Sequence, residues 1–351
     1  MFPERFTAAT ALLERVGPWL LWLAALAGVV LLARTALPLL ARRPGAAAEG
    51  PDRAEGRLLG AVAATLVAAF ALLAWYHWRI WSDLPLALDP RAGAWLNAQF
   101  EAMARAGRGS LPPVDWAHPP RYAIPLWIEG EKFFFWALVY SFALFYPLAR
   151  RAARPFRVAL YAGLIAYLGG VVFFARPFTE PLAQFRGEIA PWFAAAGNVG
   201  LQIQAFFKLY PRMLFYYNAP YMWVHPPLLF AAYALLTVTF VACVFMLFSA
   251  RREQEREAYV YAKHGYLLLT VGMLIGYPWA LQAWGPNWWW DPKIAASIMM
   301  WLLYSGFLHT RIYVHRRRIW FLHAALGVLC YLSLMFTYFM AWYFPGEHTF
   351  Q

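Results

Sequence analysis

From Val16 to Tyr343 the chain runs again and again through apolar stretches of about 20 residues that carry almost no charge, and nothing else in it limits the fold so strongly. In hydrocarbon every backbone N–H and C=O must be satisfied within the chain, so such stretches become helices. Eight qualify, near 16–40, 58–80, 132–149, 156–175, 222–249, 264–283, 295–314 and 319–343. Charged residues make up only 14% of the chain, against roughly a quarter in a soluble domain. Aromatic residues reach 19%, which excludes disorder. The expectation is an all-α polytopic membrane bundle of about eight transmembrane helices. The first stretch has no short apolar region followed by a small-residue cleavage site, so it reads as a retained helix.

A formal net charge of +12 raises the question of nucleic acid, and the distribution of the charge answers it. Arginine and lysine cluster at alternate connections: Arg42, Arg43, Arg53 and Arg57; Arg150, Arg151, Arg154 and Arg157; Arg251, Arg252, Arg256 and Lys263; Arg311, Arg316, Arg317 and Arg318. This is the positive-inside pattern of a membrane protein, and no nucleic-acid partner is expected. With eight spans it puts both termini on the outer side. The long connections 81–131 and 176–221 and the short one at 284–294 then face outward too.

Three regions follow. Residues 1–130 hold two spans and a long outer loop with Pro85, Pro90, Pro112, Pro113, Pro119, Pro120 and Pro125 around a short helix at 94–106. Residues 131–220 hold two spans and an outer stretch, 191–209, whose Gly197, Asn198, Gly200, Gln202 and Gln204 suit an interfacial helix better than a ninth span. Residues 221–351 hold the last four spans. Cys243 and Cys330 both fall inside spans, too far apart for a redox CxxC, and read as small buried apolar residues.

The densest motif is WGPNWWWDPK, Trp284 to Lys293, in the connection between the sixth and seventh spans. An interfacial belt uses tryptophans singly, whereas here Trp284, Trp288, Trp289 and Trp290 fall within seven residues. Flat aromatic faces beside the acid Asp291 and the base Lys293 suit a large planar ligand with charged edges, and haem is such a ligand. An aromatic anchor that merely ends two helices is the plain alternative.

WGPNWWWDP resembles the tryptophan-rich WGxxWxWD signature of the cytochrome c assembly family, which includes CcsA/ResC, CcmC and CcmF proteins. Three histidines extend the likeness. Trp223-Val224-His225-Pro226-Pro227-Leu228-Leu229 resembles the family's first outer histidine, Phe307-Leu308-His309-Thr310-Arg311 its membrane histidine, and Gly346-Glu347-His348-Thr349-Phe350 its second outer histidine. Size and the Leu308-His309-Thr310-Arg311 run fit the CcsA/ResC branch, the system II type, best. Residues before 130 carry no resemblance.

The resemblance implies that His225 and His348 are axial ligands of a haem b iron at the outer face, with the four tryptophans against the porphyrin. Two histidines from different helices at one height, with His225 and Pro226-Pro227 at a helix start, suit low-spin iron. Alone, His225 is a helix-end side chain and His348 a polar residue of a terminus. A second Trp116-Ala117-His118-Pro119-Pro120 in the first outer loop makes His118 a competing candidate, or a chance echo. His309 lies near the inner end of the seventh span, about a bilayer's thickness away, and implies an inner haem site from which haem moves outward. Its opposite ligand would be His323, His264 or a residue of another polypeptide, which the resemblance favours. Lys293 would pair with a propionate, and Asp291 would hold the loop or, as readily, N-cap the next helix.

The implied reaction joins the two thiols of an apocytochrome CxxCH to the haem vinyl groups, with no side chain of this chain as nucleophile. The protein would be the haem-delivering part of a cytochrome c synthase, with a CcsB/ResB-like subunit, apocytochrome c and a thiol reductant protein as partners. It would lie in a bacterial cytoplasmic (inner) membrane or a thylakoid-type membrane, with the site on the outer face. Ile294 stands where related sequences have an acid. A CcmC-like haem presenter without ligation, or a structural subunit of a membrane complex, are the other readings.

Overall fold

The computed structural model describes residues 2–107, 111–286 and 288–344, apart from the side chains of 283, 284, 341 and 342. Among them no strand occurs, and the twelve α-helices are α1 (Glu4–Leu40), α2 (Arg53–Asp83), α3 (Pro90–Arg105), α4 (Glu131–Ala143), α5 (Phe145–Ala149), α6 (Arg154–Gly170), α7 (Ala183–Ala194), α8 (Val199–Arg212), α9 (Tyr221–Phe248), α10 (Arg252–Trp284), α11 (Pro292–Thr310) and α12 (Arg317–Tyr343). A π-turn, Val171–Ala175, extends α6. Six helical segments are long and apolar enough to cross a membrane: α1, α2, the α4–α5 run, α6 with its extension, α9 and α12. The chain is thus a polytopic helical membrane protein. The expected eight also include α10 and α11, which are not among the six: the apolar half of α10 carries Thr270, Tyr277, Pro278, Trp279 and Gln282, and α11, only 19 residues long, includes Lys293 and His309.

Antiparallel neighbours put the arginine-bearing connections at one end of the bundle and the tryptophan loop at the other. α9 is the centre of the second half, touching α4, α6, α10 and α12, while α1 packs on α2 and α6. Tyr167 of α6 is hydrogen-bonded to Thr237 of α9 (2.7 Å) and Tyr331 of α12 (3.1 Å). This polar triad joins three helices where packing alone would leave them free to slide. At the arginine end Arg157 of α6 grips Glu55 of α2 through two bonds of 2.7 and 3.2 Å, and the Tyr161 hydroxyl donates to the same carboxylate.

The tryptophan end is covered by α3, α7 and α8. The short helix expected at 94–106 is α3, which starts earlier because Asp89 accepts the Arg91 amide (2.9 Å) and Pro90 occupies the first turn. The stretch 191–209 becomes two helices, broken at Gly197 (φ 88°), with Asn198 capping α8 through the Leu201 amide. α8 lays Phe206 and Tyr210 on Trp116 and Phe100 of the first long connection. Glu129, just ahead of α4, caps α7 from another segment by accepting the amides of Gln184 and Phe185 (3.0 and 2.9 Å). Burial pushes its carboxyl above the usual range, against the pull of those two amides.

Candidate functional site

The site grows from the first turns of α9. Residue 221 opens this helix, so Pro226 and Pro227 lie in its second turn, not at its start as the sequence suggested. Proline lacks the N–H that would return to the carbonyl four residues back, so Pro226 frees the Met222 carbonyl. Trp127 takes up that acceptor, donating from Nε1 at 2.7 Å, and its ring meets Trp223 edge-on at 6.2 Å. The connection before α4 is thereby tied to the turn that carries His225.

His225 is half-buried against α10. Its Nδ1 lies 2.7 Å from the Gly272 carbonyl, and since a carbonyl only accepts, Nδ1 carries the proton and Nε2 the lone pair. A Cβ on Gly276 would fall 2.5 Å from the imidazole, so this glycine makes the seat. Trp279 lies 6.5 Å from the ring at 30°. An imidazole with its tautomer set by a backbone carbonyl is the form in which histidine ligates a metal.

The tryptophan loop sits on the same part of α10. Trp288 packs edge-on against Tyr277 (5.1 Å), and Trp289 stacks on Trp288 (5.2 Å, 16°). Trp289 and Trp290 are exposed. Asp291 is buried and N-caps α11, accepting the amides of Lys293 (2.9 Å) and Ile294 (3.2 Å). Its capping role is therefore the one the geometry bears out. Ile294, in place of an acid, still offers its backbone to that cap.

Lys293 lies ahead of the apolar stretch of α11. Its ammonium is pushed down to about 8, first by burial and then by the charge of Lys132, against a smaller opposing effect of Asp291. Sequence reading missed Lys132, which stands at the start of α4 far from the motif in the chain. Among the described residues neither lysine makes an ion pair. Lys132 is near enough for its charge to act on Lys293, and two ammonium groups so placed fit a ligand with two acids. Trp127, Trp279 and Tyr277 were missed as well; the Gly272-x-x-x-Gly276 spacing was the available signal for a close approach on α10.

Trp284 ends α10, its side chain outside the description, and His348 lies outside the described residues. The structure thus brings together His225, Trp288, Trp289, Trp290, Asp291 and Lys293 at one end of the bundle. His118 is exposed in a turn and paired with Asp115 (2.9 Å). His309 is at the other end, exposed in the last turn of α11, with Nδ1 donating to the Ser305 carbonyl (2.7 Å). Two pins set its depth: Trp301 donates to Thr270 (2.8 Å) and Arg311 to Glu255 (2.6 Å). His309 is then level with about residues 258–262 of α10, about 20 Å from the seat of His225 at 1.5 Å per residue. That is shorter than the bilayer's thickness expected from sequence.

The family profile described as Cytochrome C assembly protein matches residues 128–346, well over half of the chain. Similar curated proteins include a "Cytochrome c biogenesis protein CcsA" of Synechococcus sp. (strain RCC307), 43% identical over 75 residues, covering 20% of this chain and 24% of that protein. Another of the same name, from Prochlorococcus marinus (strain NATL2A), is 54% identical over 48 residues, 14% of this chain and 15% of that one. The chain thus spans about a quarter or less of the length of these relatives. No solved structure matches it.

Proposed function

The chain belongs to the cytochrome c assembly protein family, and from that premise we propose that it handles haem b as a substrate in cytochrome c maturation, moving it to the tryptophan end and presenting it there for attachment to apocytochrome CxxCH thiols. The observation that carries this reading is the seat of His225: a half-buried imidazole with the proton held on Nδ1 by Gly272, beside Trp279 and one turn from the Trp288–Trp290 loop. The donor set fits haem, which wants a neutral imidazole, aromatic faces and cations for its two propionates. His348 would be the opposite ligand.

In this reading α10 and α11 complete eight spans, both termini lie outside, and the arginine end faces the cytoplasm. Haem is taken up at His309 and passed outward about 20 Å to His225. Lys293 and Lys132 hold the propionates, which leaves the vinyl edge to meet the apocytochrome. The haem and the substrate thiols carry the bond chemistry, while this chain binds and orients. A CcsB/ResB-like subunit and a thiol reductant protein would complete a system II synthase.

The test is a pyridine haemochrome spectrum of the purified protein beside His225→Ala, His348→Ala and His309→Ala, each expressed with an apocytochrome. Haem lost or spectrally altered in the outer variants, with maturation falling alongside, is the expected result. Haem bound normally while no cytochrome matures in any partner background favours a presenter without ligation. Haem absent from the unaltered protein overturns the reading and leaves a structural subunit.

A further inference from the structure

Toward the arginine end, α10 and α11 leave a groove of ≈ 390 Å³, lined by Lys263, His264, Tyr266, Leu267, Thr270 and Leu308. Its wall is almost wholly apolar. At the Thr270 end Trp301 ties α11 to α10, donating to the Thr270 hydroxyl (2.8 Å) and stacking on Tyr266 at 5.6 Å and 23°. Lys263, Leu267, Val271 and Leu274 follow one another at helical spacing along one face of α10. The three apolar members of that stripe are exposed, as side chains covered by lipid tails would be.

Charge sets the depth of the groove. Lys263 is the last charged residue of α10 before an apolar run that continues to the tryptophan loop, and Arg311 is the first after the apolar run of α11. Both helices therefore pass from hydrocarbon to headgroups near this level. Arg311 is already engaged: its Nε donates to Glu255 at 2.6 Å, and its guanidinium covers the Tyr259 ring at 3.6 Å. Lys263 is exposed, its ammonium 5.8 Å from the same ring, and among the described residues it has no carboxylate partner. A cation without an anion thus stands at the mouth of an apolar slot.

We propose that this groove binds one acidic phospholipid from the leaflet on the arginine side. Its phosphate lies on the Lys263 ammonium, and one acyl chain runs past Leu267 and Leu308 toward Thr270. The anionic phosphodiester supplies the partner that Lys263 lacks, whereas the cation of an ethanolamine or choline headgroup would be held against a like charge. The apolar wall favours a hydrocarbon chain over water between the two helices. Exposed Arg316, Arg317 and Arg318 draw acidic lipid to the same end of the bundle. No haem takes part, so the site is independent of the reading above.

The experiment titrates the delipidated full chain in detergent with phosphatidylglycerol or phosphatidylethanolamine of the same acyl chains, counting bound lipid by native mass spectrometry. One phosphatidylglycerol per chain is expected, retained more tightly than phosphatidylethanolamine. Lys263→Gln should weaken its binding about fivefold, the effect of one cation at an acidic surface, and remove the preference between the two lipids. Leu308→Trp, which fills the groove, should abolish retention, with thermal melting as the check on its fold; Lys263→Gln, at an exposed position, decides the matter if that variant does not fold. Arg318→Gln, which removes another exposed cation of the same end, should change nothing. Glycerol 1-phosphate, a headgroup without chains, should not compete. Equal affinity for the two lipids, an equal loss in Arg318→Gln, or glycerol phosphate binding as tightly as the lipid overturns the proposal.

Discussion

His225 occupies the space that a side chain at position 276 would need: a Cβ on Gly276 would meet its imidazole at 2.5 Å, while the Gly272 carbonyl, one turn away, holds its Nδ1 at 2.7 Å. One helix thus supplies both the room for the ring and the bond that orients it. Gly276→Ala should push the ring off that carbonyl at a cost of about 1–3 kcal/mol for overpacking. A titration with haem b, scored against thermal melting, should show loss of the outer site's low-spin signal with the fold retained. An unchanged spectrum would mean that Gly276 does not shape the seat.

Trp127 and Pro226 act as a pair, because the proline frees the Met222 carbonyl that the indole uses. Trp127→Phe should destabilise by about 1–3 kcal/mol through an acceptor left unpaired. In Pro226→Ala the returned backbone N–H takes that acceptor, so the double variant should lose less than the sum of the singles. Additive losses in a double-mutant cycle would refute the coupling.

Lys293 links haem binding to pH. Its ammonium is pushed down to about 8 in the free protein, and a bound propionate would raise it again, so binding takes up a proton above that pH. Haem affinity should be level below about pH 8 and fall by up to about tenfold per unit above it. Lys132→Met, which removes the repelling charge, should shift the break to higher pH. Soret titrations between about pH 6.5 and 9.5 decide it; a break that stays put in Lys132→Met argues against the lysine pair.

At the arginine end, Arg157 is fully buried on the carboxylate of Glu55. Arg157→Ala strands a buried charge and should cost about 3–5 kcal/mol, whereas Arg157→Met with Glu55→Leu should recover most of it. Thermal melting in detergent measures both. A double variant as unstable as the single would show that the pair holds α2 to α6 by more than mutual charge compensation.

Much of the molecule is legible in the residue order. Spans follow from apolar length, because hydrocarbon admits few other backbones, and caps at Asp89, Asn198 and Asp291 follow from side chains that reach amides two or three residues on. WGPNWWWDP and the motifs around His225 and His309 are local in sequence, and they mark the family directly. Such information survives without coordinates because each piece depends on neighbours within a helical turn or two.

What needed the tertiary structure depends on contacts between segments far apart in the chain. The pairing of α9 with α10 decides that Gly272 and Gly276 receive His225, and the start of α4 puts the charge of Lys132 within reach of Lys293. Helical registry between α10 and α11, set by Trp301 and Arg311, leaves a groove with His264 exposed at its side, while the packing of α12 buries His323. Histidine is the same letter in all these places. Its tautomer, its exposure and what it can bind are set by the surface that another helix presents to it.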